Sequence, residues 1–291
     1  MRSFEYFAPQ SLADAASLLR RYRTKAKLLA GGTDLVLRLE RRLVEPGVII
    51  DLKKIPALRG IKVNRKGLKV GALTLMDEIA SSSSVQRRYG ILAKAAAVVG
   101  SIQTRNRATL GGNLCNASPA ADTAPPLIVL SARARIEGSR GQREVPLEEF
   151  FLGPGKTCLQ PTELLKEIFI PVPARNSGSS FQRCTRTAMD IALVNCAVFL
   201  TLDPKDKTVQ DIRIALGAVA PTPVRARAAE EILKGKNPGK DALEEASERA
   251  VASVSPIDDV RSSAGYRREM VRVLTRRAVE EALKEAQGKV R

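Results

Sequence analysis

Two pairs of adjacent glycines constrain the N-terminal half of this chain more than any other feature. The first pair, Gly31-Gly32, follows a short apolar run at residues 28–30 and precedes a helical pattern that starts at Leu35. Glycine has no Cβ and tolerates a positive φ, so such a strand-to-helix turn lets backbone N–H groups approach an anion closely. The segment matches neither GxGxxG nor GxxxxGK[ST], so it indicates either another kind of phosphate-binding loop or a plain tight turn. Thr33 or Asp34 would cap the helix.

The second pair, Gly111-Gly112, lies within residues 100–124, a stretch of small and polar residues that we predict to be a long functional loop. Hydroxyl, amide and carboxylate groups surround the pair, among them Thr109, Asn113 and Asp122. Two such loops could hold the two phosphates of a dinucleotide between them. Alternatively, both are tight turns whose Asn and Asp side chains satisfy backbone groups.

The amino-acid composition excludes several kinds of active site. The 291 residues include no histidine, which excludes Ser-His-Asp and Cys-His machinery and HExxH zinc sites. The four cysteines, at positions 115, 158, 184 and 196, form no CxxC pair, so neither a zinc ribbon nor a protein-ligated iron–sulfur cluster is indicated. We therefore predict no metal site, and any chemistry must come from a bound cofactor, from carboxylates or lysines, or from the backbone.

The charge is strongly positive and unevenly placed. The chain carries a formal charge of +17, and residues 20–66 contain 14 Lys and Arg against 4 Asp and Glu. A basic stretch can be a solvated surface or can contact an anionic ligand, an acidic partner or nucleic acid. Aromatic residues make up only 4% of the chain, so stacking platforms for single strands are not expected and we predict no nucleic-acid partner. Neither a signal peptide nor an apolar run of about 18 residues is present, which predicts no membrane span and a cytoplasmic protein.

The order of predicted elements indicates a mixed α+β fold. Residues 25–55 read as a small βαβ unit, followed by short strands and helices up to Pro171 and Pro173. Residues 173–180 read as a linker. Antiparallel strands at 191–202 and 209–218 follow, and helices complete the chain, the last of them at about 262–287.

Seven segments together resemble the FAD-binding medium subunit of molybdenum hydroxylases, the carbon monoxide dehydrogenase and xanthine dehydrogenase family. They extend from residue 4 to residue 270, and the AGGTDL and TLGGN pair at this spacing is the most specific of them. The segments read FEYFAPQSLADAASLL, LLAGGTDL, ATLGGNLCNASPAAD, FFLGPGKTCLQPTELLKEIFIP, RTAMDIALV, GAVAPTPVRARAAEEIL and RSSAGYRREM.

The resemblance implies a fold and a domain division. It implies a two-part FAD-binding domain of the PCMH, vanillyl-alcohol-oxidase-like type at 1–174, with subdomains at about 1–55 and 56–174. A C-terminal flavoprotein domain with an antiparallel sheet and helices would occupy 178–291.

The resemblance also implies which residues bind non-covalent FAD. In the family the pyrophosphate lies on the first glycine loop, and the second loop and nearby apolar residues contact the rest of the cofactor. A family lysine at the flavin edge matches Arg183, which keeps the charge but not the geometry of an ammonium group. The implied FAD-binding residues are Leu29, Ala30, Gly31, Gly32, Thr33, Asp34, Leu35, Val99, Gly100, Thr109, Gly112, Asn113, Asp122, Leu165, Arg183 and Ile191, with Asp190 beside the last.

The function implied is that of an electron-transfer subunit. An iron–sulfur small subunit carrying 2Fe-2S clusters and a large subunit carrying molybdopterin would be its partners, in a dimer of heterotrimers. Electrons would reach FAD and pass on to NAD, a quinone or oxygen. The main alternative is a stand-alone FAD-dependent oxidoreductase of the same fold superfamily, and a basic RNA-binding or scaffolding protein without flavin is a third.

Overall fold

The N-terminal part of the computed structural model is built on a parallel sheet, and the structure describes residues 2–138 and 141–288. The sheet has the order β1-β3-β2, and its central strand is buried along its whole length, which is typical of a parallel strand covered on both faces. Ser11 begins the first helix, where its hydroxyl accepts a hydrogen bond from the Asp14 N–H at 3.1 Å. The elements are β1 (Glu5–Phe7), α1 (Leu12–Tyr22), β2 (Ala26–Leu29), α2 (Leu35–Glu40) and β3 (Val48–Asp51).

The middle part combines short helices with an antiparallel sheet of order β4-β5-β10-β6-β7. A two-stranded hairpin, β8–β9, lies outside that sheet. The elements are β4 (Ile61–Asn64), β5 (Gly67–Gly71), α3 (Met76–Ser81), α4 (Ser83–Arg88), α5 (Gly90–Ala97), α6 (Ile102–Arg105), α7 (Leu110–Asn116), α8 (Ala124–Val129), β6 (Arg133–Gly138), β7 (Gly141–Pro146), β8 (Phe151–Gly153), β9 (Lys156–Thr157) and β10 (Glu163–Pro171).

The C-terminal part is an antiparallel sheet of order β11-β12-β13-β14 with helices on one face. Gly178 of the first of these strands packs so closely on the last helix that a Cβ there would lie 2.0 Å from the Ala282 carbonyl oxygen. The elements are β11 (Ser177–Cys184), β12 (Val194–Leu202), β13 (Val209–Gly217), β14 (Val224–Arg225), α9 (Arg227–Leu233), α10 (Lys240–Ala252) and α11 (Ala264–Ala286).

Strand β12 belongs to two hydrophobic cores because alternate side chains point to opposite faces of a sheet. Val198 and Leu200 pack with the C-terminal helices, whereas Ala197 and Phe199 join the core of the first two parts. Helix α8, buried along its whole length, covers this second face. The mixed helix and sheet content confirms the predicted α+β class.

Two sequence predictions about irregular segments were wrong. Residues 100–124 are not a structureless loop, because they contain α6 and α7. Ser101 and Thr109 cap these helices, and each accepts a hydrogen bond from the N–H three residues ahead. The predicted linker at 173–180 is only partly irregular, since β11 begins at Ser177 and pairs there with Thr201.

No helix in residues 2–138 or 141–288 has the length and apolar character that crossing a membrane requires.

Asp259 lies in the turn before α11, where its carboxylate accepts hydrogen bonds from the backbone N–H groups of Arg261 and Ser262 and from the Arg267 side chain. Burial opposes its ionisation, but hydrogen bonds from Arg261 and the charge of Arg267 outweigh burial and lower its pKa to about 2. The ionised carboxylate therefore stabilises the fold above the ordinary aspartate range, and this contribution is lost as the pH falls toward 2.

We expect Asp259→Asn to lower the urea midpoint at pH 7, and the difference from wild type to shrink by pH 3. A difference that stays constant or grows on acidification would contradict this assignment.

Candidate functional site

One cavity collects nearly all of the predicted site residues. It has a volume of about 500 Å³, within the range of ligand pockets, and lies between the loop after β2, the α5–α7 region, β10 and the segment after β11. Among the predicted residues it is lined by Ala30, Gly31, Gly32, Thr33, Asp34, Leu35, Val99, Gly100, Thr109, Gly112, Asn113, Asp122, Leu165, Arg183 and Ile191, and also by Asp190. Leu29 does not line the cavity; it ends β2 opposite Asp51.

A second cavity, of about 370 Å³, contains none of these residues. Arg143 and Glu163, which form an ion pair at 2.8 Å, lie on its wall.

The first glycine loop presents a row of free backbone donors. Within the described residues, no acceptor receives the N–H groups of residues 31–34. Asp34 occupies the position that caps α2, but its side chain makes no capping hydrogen bond, contrary to one sequence prediction. It accepts instead a hydrogen bond from the Asn116 side chain at 3.3 Å. Successive N–H groups of this kind form an anion-binding concavity.

Glycine is required at both positions of this loop. A Cβ on Gly31 would lie 2.0 Å from the carbonyl oxygen of Arg107, so the backbone of the loop and that of the segment before α7 touch directly. Gly32 has a φ of +82°, a conformation that side chains with a Cβ rarely adopt. These two constraints hold the N–H row open toward the cavity.

The second glycine pair has a different role. Gly111 and Gly112 lie inside α7, where their N–H groups donate to the Ala72 carbonyl at 2.8 Å and to the Thr109 hydroxyl at 3.0 Å. A Cβ on Gly111 would lie 2.7 Å from Ala72. The pair therefore serves close packing, and the free N–H groups that a phosphate requires belong to the first loop.

A buried carboxylate on the cavity wall, Asp122, connects the segment before α8 to strands β11 and β12. Asp122 is only 6% exposed, and one of its oxygens accepts hydrogen bonds from Arg183 and from Asn195, each at 3.0 Å. Burial raises the pKa of Asp122, while the charge of Arg183 and the hydrogen bonds from both partners oppose that rise. Arg183 also donates to the backbone carbonyls of Ala188 and Asp190. The guanidinium group thus fixes the segment that carries Ile191 over the cavity.

Several lining residues escaped the sequence analysis. Lys27 and Arg38 line the cavity, and neither forms an ion pair with a described carboxylate. Arg38 follows Asp34, the cap of α2, by four residues, and this helical spacing could have predicted that both side chains lie on the face of the site. No comparable spacing in the sequence pointed to Met189 as a lining residue. Cys115 also lines the cavity, and burial followed by the charge of Cys158 raises its pKa to about 12, so the thiol stays protonated at neutral pH.

Two family profiles cover almost the whole chain. The profile described as the FAD binding domain in molybdopterin dehydrogenase matches residues 2–173, and that of the CO dehydrogenase flavoprotein C-terminal domain matches residues 179–282. The chain belongs to the FAD-binding subunit family of carbon monoxide and xanthine dehydrogenases.

Individual relatives are similar over their full length. The carbon monoxide dehydrogenase medium chain of Hydrogenophaga pseudoflava is 37% identical over 279 residues, covering 96% of both chains. The xanthine dehydrogenase FAD-binding subunit of Escherichia coli O157:H7 is 35% identical over 288 residues, covering 98% of both.

Solved structures of this family share the fold. A carbon monoxide dehydrogenase from Hydrogenophaga pseudoflava superimposes with a TM-score of 0.93 at 38% identity, covering 97% of both chains. Quinoline 2-oxidoreductase from Pseudomonas putida 86 superimposes with a TM-score of 0.91 at 31% identity, covering 98% of both. The predicted resemblance and the two-domain FAD-binding fold of an oxidoreductase subunit are confirmed.

The cavity of this FAD-binding subunit fits the chemistry of its cofactor. A dinucleotide carries a pyrophosphate, which requires donors and positive charge. The free N–H row at residues 31–34 and the unpaired cations Lys27 and Arg38 supply both at one end of the cavity. The same cavity is also lined by apolar side chains such as Leu165 and Ile191 and by the Arg183–Asp122 pair.

We expect Gly32→Val to weaken FAD binding about tenfold or more while the fold persists. The positive φ penalises a side chain by roughly 1–2 kcal/mol, which the loop can relieve only by giving up its open conformation. Gly47→Val is the matched control, because Gly47 has an ordinary φ and a Cβ there meets open space. Equilibrium dialysis measures the affinity for FAD, and circular dichroism measures whether the fold persists. Equal FAD affinity in both variants would show that the loop is an ordinary turn.

Proposed function

We propose that this chain is the FAD-carrying electron-transfer subunit of a molybdenum hydroxylase complex. Electrons would arrive from iron–sulfur clusters on a partner chain and leave from FAD to an external acceptor, NAD, a quinone or oxygen. The free N–H row at residues 31–34 on the wall of a cavity of about 500 Å³ carries the proposal. FAD supplies the redox chemistry, since it exchanges electrons singly or in pairs, and the protein supplies binding and electrostatics.

The proposed contacts follow the cavity from end to end. The loop at residues 29–35 would hold the pyrophosphate, with its N–H groups as donors. Thr109, Gly112, Asn113 and Asp122 would contact the middle of the cofactor. The flavin would lie toward the end of the cavity that is lined by Val99, Gly100, Leu165, Arg183 and Ile191. We also propose a domain boundary between 1–174, with subdomains at about 1–55 and 56–174, and 178–291.

The partners proposed are an iron–sulfur small subunit with 2Fe-2S clusters and a large subunit with the molybdenum cofactor, assembled as a dimer of heterotrimers in the cytoplasm. Relatives are named as the medium chain or FAD-binding subunit of their enzymes, which supports a multi-subunit assembly. In the described residues, no three His, Cys, Asp or Glu side chains cluster as metal ligands would.

Co-expression of the chain with candidate iron–sulfur and molybdenum-cofactor subunits from the same genome tests the proposal. We expect a complex that contains about one FAD per chain, with iron on the small subunit. Acid precipitation should release the flavin into the supernatant, because the chain has no histidine and the Cys115 thiol stays protonated. A chain that binds FAD, oxidises a substrate alone and joins no partner would favour the stand-alone oxidoreductase. Flavin retained in the pellet would show a covalent link.

The Arg183–Asp122 pair should tune the flavin potential. A positive charge near the flavin favours its anionic reduced form, and about 30 mV corresponds to about 1.4 kcal/mol for two electrons. Because Asp122 compensates Arg183, we expect Arg183→Gln to lower the midpoint by tens of millivolts and Asp122→Asn to raise it. Arg183→Lys and the double variant should stay near wild type. Spectroelectrochemical titration measures the flavin midpoint potential of each variant. A single midpoint shared by all variants and wild type would mean that the pair is remote from the flavin.

A further inference from the structure

The two oxygens of the Asp122 carboxylate have different surroundings. Arg183 and Asn195 both donate to the same oxygen, Oδ1, each at 3.0 Å. Within residues 2–138 and 141–288, no group donates a hydrogen bond to the other oxygen, Oδ2. Asp122 lines the cavity and keeps 6% exposure, so a proton can reach this side chain from the cavity. Oδ2 is therefore the oxygen at which the carboxylate can take up a proton.

The two donors to Oδ1 hold the Asp122 carboxyl group in place in either of its charge states. Asn195 is fully buried on β12, and a Cβ on Gly217 of the neighbouring strand would lie 2.2 Å from the Asn195 Oδ1, so packing fixes the amide. Arg183 is held by two backbone carbonyls as well as by Asp122. The carbonyl oxygen of a neutral acid accepts hydrogen bonds as a carboxylate oxygen does, so neither contact has to break when Oδ2 is protonated.

The surroundings of Asp122 bring its neutral form closer in energy to its ionised form than in an exposed aspartate. Burial is the largest influence on the pKa of Asp122 and raises it. The charge of Arg183 and the hydrogen bonds from Asn195 and Arg183 oppose this rise without cancelling it. A further negative charge beside the pair would raise the pKa of Asp122 again.

Other charged groups near Asp122 are engaged elsewhere or lie toward the glycine loop. Helix α8, which follows Asp122, carries no titratable side chain. The Cys115 thiol on the cavity wall stays protonated at neutral pH. Two neighbouring ion pairs are Asp190 with Arg186 at 2.6 Å and Asp211 with Arg213, which donates to the end of α8, at 2.8 Å. The remaining titratable groups on the cavity wall are Lys27, Asp34 and Arg38.

We propose that Asp122 binds a proton at Oδ2 when the flavin is reduced, and that Asn195 is a positioning residue for this proton site. The inference rests on the proposed function and adds a proton-binding site to it. Two electrons from the partner's iron–sulfur clusters and one proton convert FAD to the anion FADH⁻. The new negative charge favours the neutral form of Asp122, which takes up a second proton from the solvent. The charge of Arg183 is then left to compensate the flavin anion.

The pH dependence of the flavin midpoint potential tests the proposal in the assembled, FAD-loaded complex. Each proton taken up with two electrons changes the equilibrium constant tenfold per pH unit, which corresponds to about 30 mV. We expect the wild-type midpoint to fall by about 60 mV per pH unit over part of the range from pH 6 to pH 9, because two protons accompany two electrons there. Asp122→Asn should show about 30 mV per pH unit throughout, since the uncompensated Arg183 charge keeps the reduced flavin anionic.

Asp190→Asn is the matched control, because it also removes a carboxylate from the cavity wall. The hydrogen bond from Arg186 lowers the pKa of Asp190, so this group is ionised in both redox states and the control should keep the wild-type slope. Asn195→Leu removes the amide donor at a similar side-chain volume. Since that hydrogen bond favours ionised Asp122, the steep part of the curve should move to higher pH in this variant.

Infrared difference spectra of the oxidised and reduced complex give a second measurement. Reduction of the wild type and of Asp190→Asn should produce the carbonyl band of a protonated carboxyl group, and Asp122→Asn should lack it. A wild-type slope of about 30 mV per pH unit over the whole range would overturn the proton site and leave the proposed function intact. A carbonyl band that persists in Asp122→Asn would do the same.

Two further outcomes separate the possible failures. If Asp122→Asn does not fold or bind FAD, Asn195→Leu decides, and a steep range at the wild-type pH in that variant would overturn the positioning role. A wild-type chain without FAD would overturn the proposed function, and the proton site with it.

Discussion

The direct contact between the Gly31 backbone and the Arg107 carbonyl is the constraint on which the site depends. A Cβ at Gly31 would lie 2.0 Å from that oxygen, so the parallel-sheet part and the helical part can meet there only through their backbones. The contact places the turn after β2 against the start of α7 and leaves the N–H groups of residues 31–34 without protein acceptors. Packing therefore requires a glycine at the position where the row of free N–H groups begins.

The cavity wall at Asp122 and Arg183 is held by charge rather than by backbone contact. A buried carboxylate is costly unless it is paired, and Asp122 receives both a guanidinium group and an amide. The same guanidinium group reaches the carbonyls of the segment over the cavity. One ion pair thus links the middle part of the chain, β11 and the segment that carries Met189 and Ile191. Because this ion pair lies on the cavity wall, the charges that hold these segments together could also influence the reduction potential of a bound flavin.

Sequence patterns predicted the parts of the site that depend on local chemistry. The glycine loop was a candidate because paired glycines between a strand and a helix let backbone N–H groups approach an anion, and the motif pair that carried the family resemblance decided between that reading and a plain turn. Patterns failed where tertiary packing decided the outcome. The stretch at residues 100–124 has the composition of a loop, yet Ser101 and Thr109 begin two helices in it. The partner of Arg183 lies 61 residues away, and no spacing rule reaches so far.

The two-sided burial of β12 has a thermodynamic consequence. Because Ala197 and Phe199 complete the core of the cofactor-binding parts, those parts would expose an apolar surface if the C-terminal sheet were removed. The C-terminal sheet thus contributes to both hydrophobic cores, and unfolding of the parts on either side of it would expose the apolar surface of the other side. A ligand bound only by the native state stabilises everything that unfolds with it. Cofactor bound in the cavity would therefore also stabilise β12, a strand that forms no part of the cavity wall.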